Sequence, residues 1–229
     1  MGSPSLRRAT LSSIVLSGVL RGSLAVLVAG AFAAPARADE LGDLLAKGPM
    51  VRLETDSKGK FRQATCIADV NAEADLVWRV LTDYEQYPFF MPRMEKLEVT
   101  REGNDALMDT KLDTPLVATR YTNRMIPDHA TKTLTVRQVK GDLSGSHYQW
   151  KVVPLSTGRS RIFYSGVVKN FSSVAESFED DQQTLTIGIN VVSLMAATKA
   201  IKERAELVSR QAAVPTAAVP TAAVPTAAP

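Results

Sequence analysis

The stretch QQTLTIGINVVSLMAATKAIKERAELVSR, residues 182–210, decides the fold because it predicts one long helix. Mostly apolar side chains recur in it at alternating steps of four and three, which places on one face Ile187, Val191, Leu194, Thr198, Ile201, Ala205 and Val208. The first half is apolar nearly all round, whereas the second half carries charges away from this stripe. A helix that is apolar on every side needs cover on every side. We therefore expect a curved sheet wrapped around it.

The segments before this helix supply the strands. Residues 39–47 predict a short amphipathic helix, and a second helix is expected after Asn71, which we interpret as its N-cap. Alternation of apolar and polar residues predicts eight strands, at 50–54, 61–70, 95–101, 106–113, 117–126, 133–139, 146–153 and 161–169. Short connections favour antiparallel neighbours. The predicted class is α+β, with an antiparallel sheet around a long C-terminal helix.

The first 38 residues predict an export signal. Arg7 and Arg8 form a basic start, residues 23–34 are apolar, and Ala36-Arg37-Ala38 matches a cleavage site. An uncleaved membrane anchor is the alternative, and the paired arginines leave the export route open between the general and the twin-arginine systems. We expect cleavage after Ala38 and a periplasmic or secreted protein.

The last 19 residues, 211–229, repeat AAVPT three times and carry no charge. A proline every five residues prevents a regular helix, so a disordered, extended tail is predicted. The predicted domain is therefore residues 39–210. Because residues 1–38 hold four arginines and no acid, the remaining chain has 23 basic against 24 acidic groups. The basic balance of the whole chain thus gives no argument for a nucleic-acid partner.

Recognised catalytic and metal-binding patterns are missing from the sequence. It contains no G-x-S-x-G elbow, P-loop or G-x-G-x-x-G motif, so neither a catalytic residue nor a cofactor is predicted. His129 and His147, both expected at the surface, do not form a zinc site with the single cysteine. That cysteine, Cys66, alternates with alanines on a predicted strand, which indicates a buried and unreactive thiol.

Aromatic side chains on three of the predicted strands suggest a binding site; they are Tyr121, Tyr148, Trp150, Phe163 and Tyr164. If the sheet turns Tyr121, Tyr148 and Trp150 toward the helix, they would form the walls of an apolar cavity that also carries hydroxyls. The floor would come from the helix, through Ile187, Val191 and Leu194. The alternative is that these rings simply fill the core. Arg120 and Arg124 fall on the opposite face from Tyr121, which is typical of a solvated face.

Residues 71–92, NAEADLVWRVLTDYEQYPFFMP, resemble the opening of START-like (SRPBCC) domains of the polyketide cyclase/dehydrase and coenzyme-Q-binding type. The resemblance rests on Val77-Trp78, Leu81-Thr82-Asp83-Tyr84, Tyr87-Pro88 and Pro92, and continues at Trp150, Pro154, Gly158, Arg161 and Tyr164. It covers nearly all of residues 61–208. It implies the helix-grip fold, in which a hydrophobic cavity lies between the sheet and the C-terminal helix.

The resemblance implies a fold more firmly than an activity. Our leading hypothesis is an exported, non-catalytic protein whose partner is a hydrophobic small molecule, a lipid or an isoprenoid quinone. A cyclase or dehydratase acting on a polyketide-like substrate and a structural envelope module are the alternatives. Phe89-Phe90-Met91 could either plug the end of the cavity or make a transient contact with a membrane surface. The oligomeric state is left open.

Overall fold

The computed structural model describes residues 34–113, 119–143, 145–168 and 182–213. The elements before the long run of strands are α1 (Ala34–Lys47), β1 (Met50–Thr55), β2 (Phe61–Val70), α2 (Ala74–Thr82) and a 3-10 helix (Tyr84–Phe89). They are followed by β3 (Met94–Glu102), β4 (Asp105–Leu112), β5 (Thr119–Asp128), β6 (Thr133–Gly141), β7 (His147–Ser156), β8 (Arg159–Val167) and α3 (Gln182–Ala213). The eight predicted strands are all confirmed, with bounds that differ by a few residues.

The strands form one antiparallel sheet in the order β1-β2-β8-β7-β6-β5-β4-β3. Strands β3 to β8 follow one another as a meander, and β2 pairs with β8, so the first and last parts of the chain meet inside the sheet. Helix α3 packs mainly on β2, with further contacts to α2 and β8. This arrangement confirms the predicted α+β helix-grip fold.

The inner face of the sheet, which we define as the face toward α2 and α3, begins with a row of small residues on β2. Ala64, Cys66 and Ala68 are each at most 1% exposed. Leu194 of α3 packs on Ala64 and Cys66. Small side chains let the helix approach the strand closely, and this burial raises the pKa of the Cys66 thiol. The prediction of a buried cysteine is confirmed.

Among the described residues, helix α3 is covered on one side only, which differs from the expectation of cover on every side. In its first half Val192 is 67% exposed and Met195 is 38% exposed. The physical reason is that an open sheet contacts a helix lying across it along one stripe. By length and composition residues Thr184–Ala213 could cross a membrane, a property that core helices of soluble proteins share.

Asn190 fastens the first half of α3 to the end of β8. Its side chain is fully buried; Oδ1 accepts the Val168 N–H at 2.7 Å and Nδ2 donates to the Val168 carbonyl at 3.3 Å. Nδ2 also donates to the Thr186 carbonyl at 2.8 Å. Asn190 lies within a stretch that is apolar nearly all round, and the local pattern indicates no role for it.

Two predicted helix starts are wrong. The N-cap of α2 is Glu73 and not Asn71, and its carboxylate accepts the backbone N–H of Gly158 across the fold instead of capping the helix. The Asn71 N–H donates to Glu206 Oε1 at 2.9 Å. Helix α1 begins at Ala34, before the predicted start at residue 39, because residues 36–38 are good helix formers and Pro35 falls in the first turn, where proline is tolerated.

The predicted terminal segments are only partly described. Residues 1–33, which hold most of the predicted signal, and residues 214–229, which hold most of the predicted tail, lie outside the described residues. Residues 171–181, predicted as a loop or short helix, lie outside them as well. Cleavage after Ala38 stays a prediction.

Candidate functional site

The register of the sheet places the predicted wall residues on the inner face, because directly paired residues of antiparallel strands share a face. Trp150 pairs with Leu134 on one side and Tyr164 on the other, and all three lie toward the helices. Tyr121 pairs with Thr110, which is 1% exposed. The strand alternation predicted from sequence is therefore realised at these positions.

Three aromatic rings of β7 and β8 are in contact. Trp150 stacks on Tyr164 with ring centroids 3.8 Å apart and planes 10° apart, and Tyr148 lies 5.8 Å from Tyr164. Tyr164 also packs against the cluster that contains Leu194. Tyr164 thus connects the predicted walls to the predicted floor. Phe163, named with the same aromatic set, lies on the outer face, where it pairs with Ile67 and Lys151.

The predicted floor residues differ in burial. Leu194 is fully buried, whereas Ile187 and Val191 are half-buried and lie outside the buried clusters. All three share the stripe of α3 that the sequence predicted. Leu194 is therefore brought together with Tyr164, and the two residues that precede it on the stripe retain accessible surface.

Tyr121, Tyr148 and Tyr164, which we call the tyrosine cluster, are removed from bulk water. Burial raises the pKa of Tyr148 to about 12. It raises the pKa values of Tyr121 and Tyr164 further, with a smaller contribution from the neighbouring phenols. Each nevertheless keeps part of its surface accessible. The three rings therefore lie in largely apolar surroundings and are not completely covered by the described residues.

The tyrosine cluster predicts a loss of stability in alkali. Below pH 10 the phenols are neutral in both states, but above it the unfolded chain ionises first because the folded-state pKa values are raised. The free energy of unfolding should therefore fall as pH rises from about 10 toward 12. Urea unfolding followed between pH 8 and 11.5 measures the slope. Tyr148→Phe should make it shallower, and an unchanged slope in this variant would contradict the assignment.

Polar groups lie beside the tyrosine cluster on the inner face. Asn123 pairs with Met108, a buried core residue, so its side chain points inward. Thr110 and Ser146 are also buried here, and the Tyr148 hydroxyl bonds to Ser146. In the described ranges no strand places a carboxylate or an imidazole beside the cluster on this face. Sequence analysis missed Asn123, although its alternation with Tyr121 and Met125 was a usable signal.

The histidines and two arginines lie where the sequence predicted. His129 is exposed, and its Nδ1 accepts the Trp78 Nε1–H at 2.9 Å; His147 is also exposed. Arg120 lies on the outer face with Asp109, and Arg124 lies there with Asp105 and Glu102. Within the part of the chain that the structure describes, no group of three or more His, Cys, Asp or Glu side chains could hold a metal ion.

The three residues of the run Phe89-Phe90-Met91 lie in different environments, which bears on the two roles considered for them, a plug of the cavity end and a membrane contact. Phe89 is 79% exposed, whereas Phe90 and Met91 pack against the core. Phe90 also borders an outer cleft of about 260 Å³ between the two helices and the 3-10 helix, lined by Leu76, Arg79, Val80, Asp83, Gln86, Phe90, Arg204 and Val208. One residue of the run is thus free to meet another surface.

The sequence matches the family model described as polyketide cyclase / dehydrase and lipid transport over residues 70–199. The chain belongs to this family. The match covers the stretch from α2 through the tyrosine cluster to the middle of α3, so the candidate site lies within it. No curated protein matches the sequence.

Solved structures share the fold. The Zhui aromatase/cyclase of a Streptomyces species has a TM-score of 0.55 at 22% identity, over 66% of this chain and 98% of that one. A Thermus thermophilus protein has a TM-score of 0.55 at 18% identity, over 65% of this chain and 99% of that one. Truncated norcoclaurine synthase from Thalictrum flavum has a TM-score of 0.48 at 20% identity, over 70% of this chain and 94% of that one. At these identities the likeness concerns the fold alone.

Proposed function

We propose that the protein is exported and binds a hydrophobic small molecule, a lipid or isoprenoid compound, between the inner face of the sheet and α3, without transforming it. The observation that carries the proposal is the tyrosine cluster, whose rings are desolvated yet keep accessible surface. Membership of a family that includes lipid transport supports it. The signal-like residues 1–38 support export.

Apolar contact supplies the affinity in this proposal. Trp150, Tyr164 and Leu194 present rings and an aliphatic side chain, and apolar area removed from water contributes about 25 cal/mol per Å² before the costs of association. The Tyr121 hydroxyl remains available to orient one polar end of a ligand, since a neutral phenol donates a hydrogen bond, whereas the Tyr148 hydroxyl bonds to Ser146. Apolar walls with few polar groups are the usual composition of a small-molecule site.

The two tryptophans allow a direct test, because Trp150 lies in the proposed site and Trp78 lies at the His129 turn. Each can be made the only tryptophan, with Trp78→Phe and Trp150→Phe as a matched pair. Titration with a dibrominated fatty acid, which quenches indole fluorescence on contact, should quench the Trp150 protein and leave the Trp78 protein almost unchanged. Equal quenching of the two proteins, or none in either, would disprove an internal site.

A cyclase or dehydratase is the second candidate, favoured by the convergence of three phenols on one space. Such an enzyme needs a group that accepts a proton near neutral pH. Phenols with raised pKa values act as hydrogen-bond donors and not as bases at that pH. Non-catalytic binding therefore has the better support from the described residues. Recovery of a chemically altered molecule after incubation with a poly-β-ketone substrate would reverse this order.

We further propose that Phe89 inserts into a bilayer interface while a ligand is exchanged. Its exposed ring gains from leaving water, and burying a phenylalanine is worth about 2 kcal/mol. Phe89→Ser should weaken co-sedimentation with phosphatidylcholine/phosphatidylglycerol vesicles by about tenfold. Val139→Ser, which removes another exposed apolar side chain from a distant strand, is the control. Equal effects of both substitutions would refute a specific role for Phe89.

A further inference from the structure

Asn123 occupies a central position in the candidate site. It lies on the inner face of β5, where it pairs with Met108 of β4 and Gln138 of β6. Tyr121 precedes it on the same face and Met125 follows it there, so a primary amide stands between an aromatic ring and a buried thioether.

The amide oxygen of Asn123 is buried and accepts no hydrogen bond. Leaving a buried acceptor unpaired costs about 1–3 kcal/mol. The neighbouring amide of Gln138 donates through Nε2 to the Lys140 carbonyl at 3.3 Å and not to Asn123. The Tyr148 hydroxyl is likewise engaged, with Ser146. A polar group left unpaired in a native protein calls for a partner that the chain itself does not supply.

Two other buried oxygens in the described residues lack a hydrogen-bond partner, and each lies against a neighbouring side chain. Thr198 Oγ1 lies against the Cys66 thiol under α3. The Tyr84 hydroxyl belongs to a ring covered by the Arg101 guanidinium at 5.0 Å. Asn123 lies two residues from Tyr121 on the same strand face.

We propose that the polar end of the ligand carries a hydrogen-bond donor, a hydroxyl or N–H group, which bonds to Asn123 Oδ1. This inference rests on the proposed function and narrows the ligand class. A hydroxylated molecule such as a phenol, a quinol or an isoprenoid alcohol satisfies the amide oxygen. A quinone or a fully esterified lipid, whose oxygens only accept, leaves it unpaired and is discriminated against.

A matched pair of probes tests the donor requirement: 4-nonylphenol and its methyl ether, 4-nonylanisole, which differ in one O–H. Competition with the dibrominated fatty acid for the Trp150 site, in the Trp78→Phe protein, gives both affinities. The phenol should bind about tenfold more tightly than the ether. Asn123→Leu, which keeps the volume and removes the amide, should reduce this ratio to about one.

Two further variants make the result specific. Gln149→Leu makes the same amide-to-leucine change on the exposed outer face of β7 and should keep the tenfold preference. Asn123→Asp keeps acceptor oxygens and loses the N–H₂ donor, so it should keep the preference too. Asn123→Asp also provides a test of the proposal if Asn123→Leu fails to fold. Loss of the preference in the aspartate variant would mean that the amide nitrogen faces the ligand.

The outcomes separate this inference from the proposed function. Equal binding of phenol and ether to the protein with Asn123 intact, or tighter binding of the ether, overturns the donor requirement while leaving hydrophobic binding in place. Failure of the dibrominated fatty acid and of both probes to bind overturns the proposed function, and the inference with it.

Discussion

Replacing Gly166 by alanine is expected to destabilise the domain by about 3 kcal/mol, because the added methyl group has no room. An alanine Cβ at this position would lie 2.5 Å from Tyr148 Cδ1 and 2.6 Å from the His147 carbonyl oxygen. The ring could turn aside, but the carbonyl belongs to the backbone of β7 and can move only with the strand. The free energy of unfolding in urea measures the effect.

The same contact explains why a glycine suits this position of β8. Gly166 pairs directly with Tyr148, and without a side chain it leaves space for the Tyr148 ring beside Tyr164. An alanine would push this ring out of the tyrosine cluster, so we expect ligand affinity to fall together with stability. Adding Gly166→Ala to a Tyr148→Ala protein should cost less than adding it to the wild type, because one of the two clashes is then gone.

Gly188→Ala is the matched control. Gly188 lies within α3, and a Cβ there would meet no atom within 4 Å. Because glycine is about 1 kcal/mol less favourable than alanine inside a helix, this variant should be more stable than the wild type by up to that amount. If Gly166→Ala were as stable as Gly188→Ala, the close approach of β8 and β7 described above would be wrong.

Replacing Asn190 by alanine should also cost about 3 kcal/mol. The substitution leaves the Val168 N–H and carbonyl, both of which bond to Asn190, without their side-chain partner in a buried position. Each unpaired buried group carries a desolvation penalty. These two penalties add to the free energy that is lost with the hydrogen bonds. A lowered urea midpoint with an unchanged m-value is the expected result.

Val192→Ala provides the comparison for Asn190, since it truncates a side chain two positions later that is 67% exposed. Surface changes of this kind stay within about 0.5 kcal/mol. If the two variants were equally stable, Asn190 would not fasten α3 to β8. In the expected case the first half of α3 becomes loosely held, so binding of the dibrominated fatty acid should weaken more than in Val192→Ala.

Local sequence patterns determined most of the fold because they act over short distances. The step of four and three residues specified α3, and period-two alternation specified the strands and their inner face, since side-chain direction follows from backbone geometry alone. The predicted site required an inward orientation of Tyr121, Tyr148 and Trp150, and the register places them on the inner face. The helix start at Asn71 was predicted wrongly, because Glu73, two residues later, is committed to Gly158, far away in the chain.

The candidate site required the tertiary structure. Asn123 looked like an ordinary polar strand residue, and only its pairing with Met108 and the absence of a donor nearby make its oxygen unusual. Tyr164 became the link between Trp150 and Leu194 because β8 lies between β2 and β7, a strand order that sequence periodicity does not contain. Phe89 and Phe90 are neighbours of identical type, and only the fold exposes one and packs the other, half-buried, against the core.

By itself, then, the sequence determined the class of the fold, the face of each strand and the family resemblance, because these follow from residue types at fixed local spacings. The tertiary structure decided which polar groups are satisfied, which rings touch and which side of α3 stays exposed. Those properties depend on partners that are far apart in the chain, by 22 residues for Asn190 and Val168 and by 135 for Glu206 and Asn71. The chemistry of a binding site is set by such distant pairs, so it follows from the tertiary structure and not from local sequence patterns.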